Sequence, residues 1–293
     1  MWSVIVKDGL KALVPFKPFI RATLRKAFPY RSLPSNDNLA LEQGLQLIKY
    51  MSRYGINCGT VLEVGTGWIP TIPHLLLAQG VDKLVLTDVD RLCDTTTFDH
   101  AKTFVRGSLG KLKEVSAENP EALSANLERE GITEYRCPPD TESIPSETID
   151  LVYSRTVLEH IAKGDLHKLT SEWMRLLRPG SFCIHFIDNS DHFEHRDRSL
   201  SRLNFLSVSN WVWKLSCLNP QIFQNRLRHS DYLKLFSEAG FDILLTEGQP
   251  DQQALADLEH LAINHAFSHY DKTDLATLTT IIVAQKPSGT VSH

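Results

Sequence analysis

The 293-residue chain has no apolar run near the ~18 residues that a membrane-crossing helix needs, and no internal repeat. A secretory leader is not expected, because Lys7 and Asp8 interrupt the first apolar run after Val6. Cysteine is scarce and scattered. Cys58, Cys93, Cys137, Cys183 and Cys217 show no paired spacing, which argues against a disulfide framework and a Cys-rich zinc site. A reducing, cytoplasmic setting is the expectation. With 15 glycines and 14 prolines there is no low-complexity tract. An excess of positive charge is also missing: the net charge is −4, so a nucleic-acid partner is not indicated.

What is present has ordinary globular proportions, 42% hydrophobic and 23% charged. The charge is uneven. Residues 1–31 carry Lys7, Lys11, Lys17, Arg21, Arg25, Lys26 and Arg31 against Asp8 alone, interleaved with Phe16, Phe19, Leu24 and Phe28. A basic amphipathic segment of this kind is compatible with peripheral contact at an anionic membrane, or with a helical cap over a ligand site. Residues 1–55 read as that helical cap. Leu41, Leu45, Ile48 and Met51 share one helix face, and Asn36 or Asp37 is the expected N-cap.

From residue 56 to 293 the pattern alternates. Strands are expected at 60–64, 83–87, 148–153, 182–187, 241–245 and 279–284, with helices between them and a mostly helical stretch at 89–132. Such alternation predicts a mainly parallel α/β sheet with helices on both faces. Ligands of such sheets bind beyond the carboxyl ends of the strands. Those ends are Glu63 to Gly67, Asp88, Asp140, Ser154 and Asp188.

The first strand ends Glu63-Val-Gly-Thr-Gly67. Glycines there let the backbone turn sharply against a ligand, with helix N–H groups just beyond. Asp88, at the end of the second strand, is placed to accept both hydroxyls of a ribose, with Val89 beside it. A dinucleotide fingerprint needs Gly or Ala where Pro70 stands. Glu63 would repel a pyrophosphate, whereas it suits the amino group of a methionine moiety. The cofactor indicated is S-adenosylmethionine, leaving S-adenosylhomocysteine as product.

The run Val61-Leu-Glu-Val-Gly-Thr-Gly67 resembles the first motif of class I S-adenosylmethionine-dependent methyltransferases, and Leu84-Val-Leu-Thr-Asp88 resembles the second. Asp140-Thr-Glu-Ser-Ile-Pro145, the Leu158-Glu-His160 turn, Leu176-Leu-Arg-Pro-Gly180 and Ala239-Gly-Phe241 are similar to later motifs, in order, across residues 60–285. Two positions depart from the pattern: Ile69 replaces a third glycine and Ser181 follows the Pro-Gly turn. The resemblance implies a Rossmann-like, seven-stranded sheet of order 3-2-1-4-5-7-6 with strand 7 antiparallel. It implies cofactor contacts from Glu63, Gly65, Thr66, Gly67, Asp88, Val89, Asp140, Thr141 and Ser154.

A methyl on sulfonium sulfur is already electrophilic, so the protein need only place the acceptor and manage its proton. His192, just past the fifth strand, is the expected base, with Asp188 or Asp191 as its orienter; His160 is the second candidate and His185 a core residue. The group His185, Asp188, Asp191, His192 and His195 is compatible with a divalent ion but matches no closed metal motif, so no metal ligand is assigned. His265 and His269 sit four apart on an expected helix, with no third ligand near.

Residues 189–230 read as an acceptor lid, whose Phe193, Phe205, Trp211, Trp213 and Phe223 suit a ring-shaped or sugar acceptor. The expected activity is methyl transfer to a small molecule, most simply to an oxygen of a sugar or natural-product intermediate. A silent scaffold, or a methyltransferase of RNA or protein, are the alternative readings.

Overall fold

The computed structural model describes residues 33–56, 59–195, 197–216 and 223–289. The basic segment 1–31 lies outside them. Helix α1 (Leu33–Tyr54) packs Leu41, Leu47, Ile48 and Met51 against α2 (Thr71–Ala78), all of whose residues are buried. Asp37 is not the N-cap, because α1 begins four residues earlier. It is buried and accepts hydrogen bonds from Thr71 Oγ1 at 3.1 Å and His100 Nε2 at 2.7 Å, tying α1 to its neighbours.

Strands β1 (Thr60–Val64), β2 (Lys83–Thr87), β3 (Thr133–Arg136), β4 (Ile149–Arg155), β5 (Leu177–Asp188), β6 (Asp242–Glu247) and β7 (Thr279–Gln285) form one sheet of order β3-β2-β1-β4-β5-β7-β6. All neighbours are parallel except β7, which is antiparallel to both β5 and β6. The fold is therefore the Rossmann-like class I methyltransferase arrangement. Both faces of the central strands are buried, so the strands read as continuous apolar runs. One face meets α1, α2, α3 (Thr95–Gly107), α4 (Leu109–Lys113) and α5 (Pro120–Leu127). The other meets α6 (Lys163–Leu176) and α8 (His229–Glu238), through Trp173, Tyr232 and Phe236.

Several elements differ from the sequence reading. β3 is a polar edge strand with no buried residue, so it lacks an apolar signal. β5 starts at Leu177, ahead of the Pro179-Gly180 pair, because Leu177 already turns to an extended conformation and Lys286 O accepts from Gly180 N. The pair His265/His269 does not share a helix: only a short 3-10 turn, His265–Phe267, is there.

Beyond β5, a 3-10 turn (Asn204–Ser207) and α7 (Asn210–Ser216) build a third core with α9 (Gln252–Asp257) and α10 (Lys272–Ala276). Phe193, Phe205 and Trp213 are buried in that core, with each phenylalanine edge to face against Trp213. They hold this layer together instead of offering faces to an acceptor. Trp211 is 65% exposed.

Candidate cofactor and acceptor site

β1 and β4 are neighbours, while the chain leaves β1 for β2 on the other side. That is the switch point of the sheet, where a crevice opens at the strand ends. The turn after β1 occupies it. Gly65 and Gly67 both have positive φ, at 77° and 70°. Gly65 N and Thr66 N donate to Thr87 O at 2.8 and 3.1 Å, and Gly67 N donates to Asp88 Oδ2 at 2.8 Å. Asp88 thus braces the turn with one oxygen. A Cβ on Gly65 would come within 2.4 Å of Val157, whereas at Gly67 it would meet open space.

The turn lines a cavity of about 800 Å³, within the usual range for a small-molecule site. Gly65, Thr66, Gly67, Asp88, Val89 and Thr141 are on its wall. Trp68 and Ile69, the departures from the glycine pattern, are on the wall too.

Glu63 stands behind the wall, 5% exposed. Its Oε1 accepts from the Tyr153 hydroxyl at 2.7 Å, and its Oε2 has no partner. Burial pushes its pKa up to about 7, against the opposing effect of Tyr153 and Thr66. An orphaned buried carboxylate oxygen beside a glycine cradle fits the ammonium group at the amino-acid end of S-adenosylmethionine.

Two expected cofactor residues are elsewhere. Ser154 is fully buried, and its hydroxyl pairs with His185 Nδ1 at 2.7 Å inside the core. It points away from the crevice because side chains alternate along β4. Asp140 is exposed, off the wall, and accepts from Ser143 N at 3.2 Å. Its neighbour Thr141 lines the cavity instead. His185 is a core residue, stacked on Trp173 at 4.7 Å, with burial driving its pKa down to about 3.

Arg155 and His160 are also on the cavity wall. His160 Nδ1 lies 2.7 Å from Phe223 O. A carbonyl only accepts, so Nδ1 carries the proton and Nε2 keeps its lone pair. Burial lowers the His160 pKa and holds the ring neutral. His192, the expected base, is not on the wall. Its ring is 5.0 Å from that of His160, and its Nε2 is 3.3 Å from Asp188 Oδ2. Asp188 is anchored by Ser190, whose N and Oγ donate to Oδ1 at 2.8 and 2.6 Å. Asp191 is engaged with Phe193 N and orients no histidine. The five-residue metal grouping therefore does not form: His185 and Asp191 are committed elsewhere.

The reading from sequence missed three supports. Arg155 donates to Gln43 of α1. Asn225 donates to Leu158 O at 2.7 Å and Ile161 O at 2.9 Å, clasping the Leu-Glu-His turn. Glu159, inside that turn, is 2% exposed, and neither carboxylate oxygen has a partner. The role of Asn225 depends on a contact 67 residues away in sequence.

Residues 112–185 match the family model described as a methyltransferase domain. No curated protein sequence matches the chain. Solved structures that resemble it include a S-adenosylmethionine-dependent methyltransferase from Mesorhizobium loti, 12% identical, covering 77% of this chain and 90% of that one at a TM-score of 0.44. Another is phosphoethanolamine N-methyltransferase 2 of Haemonchus contortus with S-adenosyl-L-methionine, 15% identical, covering 84% of this chain and 52% of that one at 0.47. A third is a geranyl diphosphate methyltransferase in complex with GPP and sinefungin, 12% identical, covering 84% of this chain and 77% of that one at 0.48. The matched segment is a methyltransferase domain, and the strand order and the Asp88-braced glycine turn are in keeping with the class I S-adenosylmethionine-dependent methyltransferase fold.

Proposed function

We propose that this chain methylates an oxygen of a small molecule, in the cytoplasm, in keeping with free Cys93, Cys137 and Cys183. The observation that carries the reading is a neutral His160 on the cavity wall, whose Nδ1 is held by Phe223 O and whose Nε2 keeps its lone pair. Bound S-adenosylmethionine supplies a methyl on sulfonium sulfur, so transfer to a hydroxyl leaves a neutral thioether and releases the hydroxyl proton. That proton leaves toward His160, with His192 and Asp188 behind it. Gly65, Thr66 and Gly67 cradle the amino-acid end of the cofactor, Asp88 its ribose, and Val89 and Thr141 flank its adenine.

The test is calorimetric titration with S-adenosylhomocysteine, then transfer of labelled methyl to a panel of alcohols, phenols, sugars and amines. Micromolar binding and a labelled ether support the reading. Label carried only to amines, protein or RNA overturns it.

A further inference from the structure

Among the described residues, one group of His, Cys, Asp and Glu side chains brings three donor atoms together: Glu159, His160 and His192. One donor atom of each lies within 4.8 Å of the other two. Each has an unsatisfied valence there. Glu159 is 2% exposed with both oxygens unpartnered. Burial pushes its pKa well above the usual carboxylate range, against the smaller opposing effect of the backbone amides of Glu159 and Asp188. His192 Nε2 is buried and also unpartnered, since its 3.3 Å approach to Asp188 lacks hydrogen-bond geometry. His160 donates Nδ1–H to Phe223 O and so turns Nε2 inward as a lone pair. A carbonyl holding the outer N–H of a histidine is the usual support of a metal-bound imidazole.

A buried carboxylate with no partner is costly unless it is neutral or meets a cation. In this turn no cation pairs with it: Arg155 is near enough to act through space but donates to Gln43. We propose that Glu159, His160 and His192 hold a divalent cation of borderline softness, of the zinc or manganese type. Two imidazoles and one carboxylate favour such ions over calcium or magnesium, which take oxygen sets. Metal–ligand bonds of ~2.1 Å need donors about 3–4 Å apart, so small side-chain shifts close the site. Three protein ligands leave open positions, and His160 is on the cavity wall.

The consequence for catalysis rests on the oxygen-methylation reading. An acceptor hydroxyl bound at an open position loses its proton to water and keeps its electron pair, because the ion stabilises the oxyanion. The ion then replaces a histidine base, and His192, off the wall, contributes as a ligand.

The experiment uses tag-free full-length protein, stripped with EDTA and titrated with Co²⁺ while visible absorption is followed. One Co²⁺ per chain with micromolar affinity and ligand-field bands is expected. His192→Ala and Glu159→Gln should each weaken Co²⁺ binding at least tenfold and leave S-adenosylhomocysteine affinity within about twofold. If Glu159→Gln does not fold, His192→Ala carries the test. No stoichiometric Co²⁺, or Co²⁺ bound equally well by the folded variants, overturns the site. Undiminished ether formation in EDTA overturns its catalytic part and leaves the proposed function standing. Failure to bind S-adenosylhomocysteine strikes the proposed function while the Co²⁺ titration still reads the metal site.

Discussion

The hydroxyl of Tyr153 donates to Glu63 Oε1 at 2.7 Å across two neighbouring strands, leaving Oε2 of the same carboxylate orphaned behind the glycine turn. Burial raises the Glu63 pKa to about 7, so the group is half protonated near neutrality. A cationic ligand favours the ionised form. Cofactor affinity should therefore rise as pH increases through about 7, and binding below that pH should release a proton. Calorimetry of S-adenosylmethionine in buffers of different ionisation enthalpy at pH 6.5 measures that release. Glu63→Gln should abolish the buffer dependence; a persistent dependence in the variant would assign the proton elsewhere.

Asp88 combines two duties, bracing Gly67 N through Oδ2 and lining the cavity. Hydrogen bonds to a charged group are worth ~1.5–3 kcal/mol each. Asp88→Ala should thus weaken S-adenosylhomocysteine binding by about 10- to 100-fold or more. Asp88→Asn, which keeps an acceptor for Gly67, should retain part of the affinity. Equal affinity in wild type and Asp88→Ala would remove Asp88 from the site.

Ser154 stands at the end of β4, yet its partner is His185 at 2.7 Å in a dry core against Trp173. Ser154→Ala leaves that buried ring nitrogen unpaired, a loss of about 1–3 kcal/mol in stability. Cofactor affinity should not change. Urea unfolding and calorimetry on the same sample separate the two effects, and a selective loss of cofactor binding would return Ser154 to the site. The His185 pKa is depressed to about 3, so between about 6.5 and 3 the unfolded chain binds a proton that the native one refuses. Its contribution to stability is present above that window and falls as pH drops through it.

The glycine turn of the candidate site was legible because its geometry is local. A strand, two glycines at positive φ and an acid twenty-one residues later specify a turn and its brace without reference to the rest of the chain. Sidedness was not legible at a strand end: Ser154 and Arg155 are adjacent, and only Arg155 lines the cavity. The acceptor half depends on contacts far apart in sequence. Choosing His160 over His192 as the wall residue requires knowing that Phe223 O, 63 residues on, orients the former. The lid aromatics misled for the same reason, since burial of Phe205 and Trp213 comes from α9, α10 and the chain between them. Polar β3 offered no apolar signal, and its place at the edge explains why it needs none.

Gly65 and Gly67 share a left-handed backbone and differ in what surrounds them. Alanine at either position bears the same local strain, roughly 1–2 kcal/mol. At Gly65 the new methyl also meets Val157 at 2.4 Å, on the segment that leads from β4 into the turn bearing Glu159 and His160. Gly65→Ala should therefore displace that turn and lower thermal stability more than Gly67→Ala does, by several degrees. At Gly67 the methyl projects into open space on the cavity wall, where the cofactor would lie. Gly67→Ala should lose only that strain in stability and bind S-adenosylhomocysteine at least tenfold more weakly. Thermal melts with and without S-adenosylhomocysteine distinguish the pair. If Gly67→Ala is stabilised by the ligand as fully as wild type is, the cradle lies elsewhere than this turn. If instead the Gly65 variant melts no lower than the Gly67 variant, the packing of the turn on Val157 does not support the site.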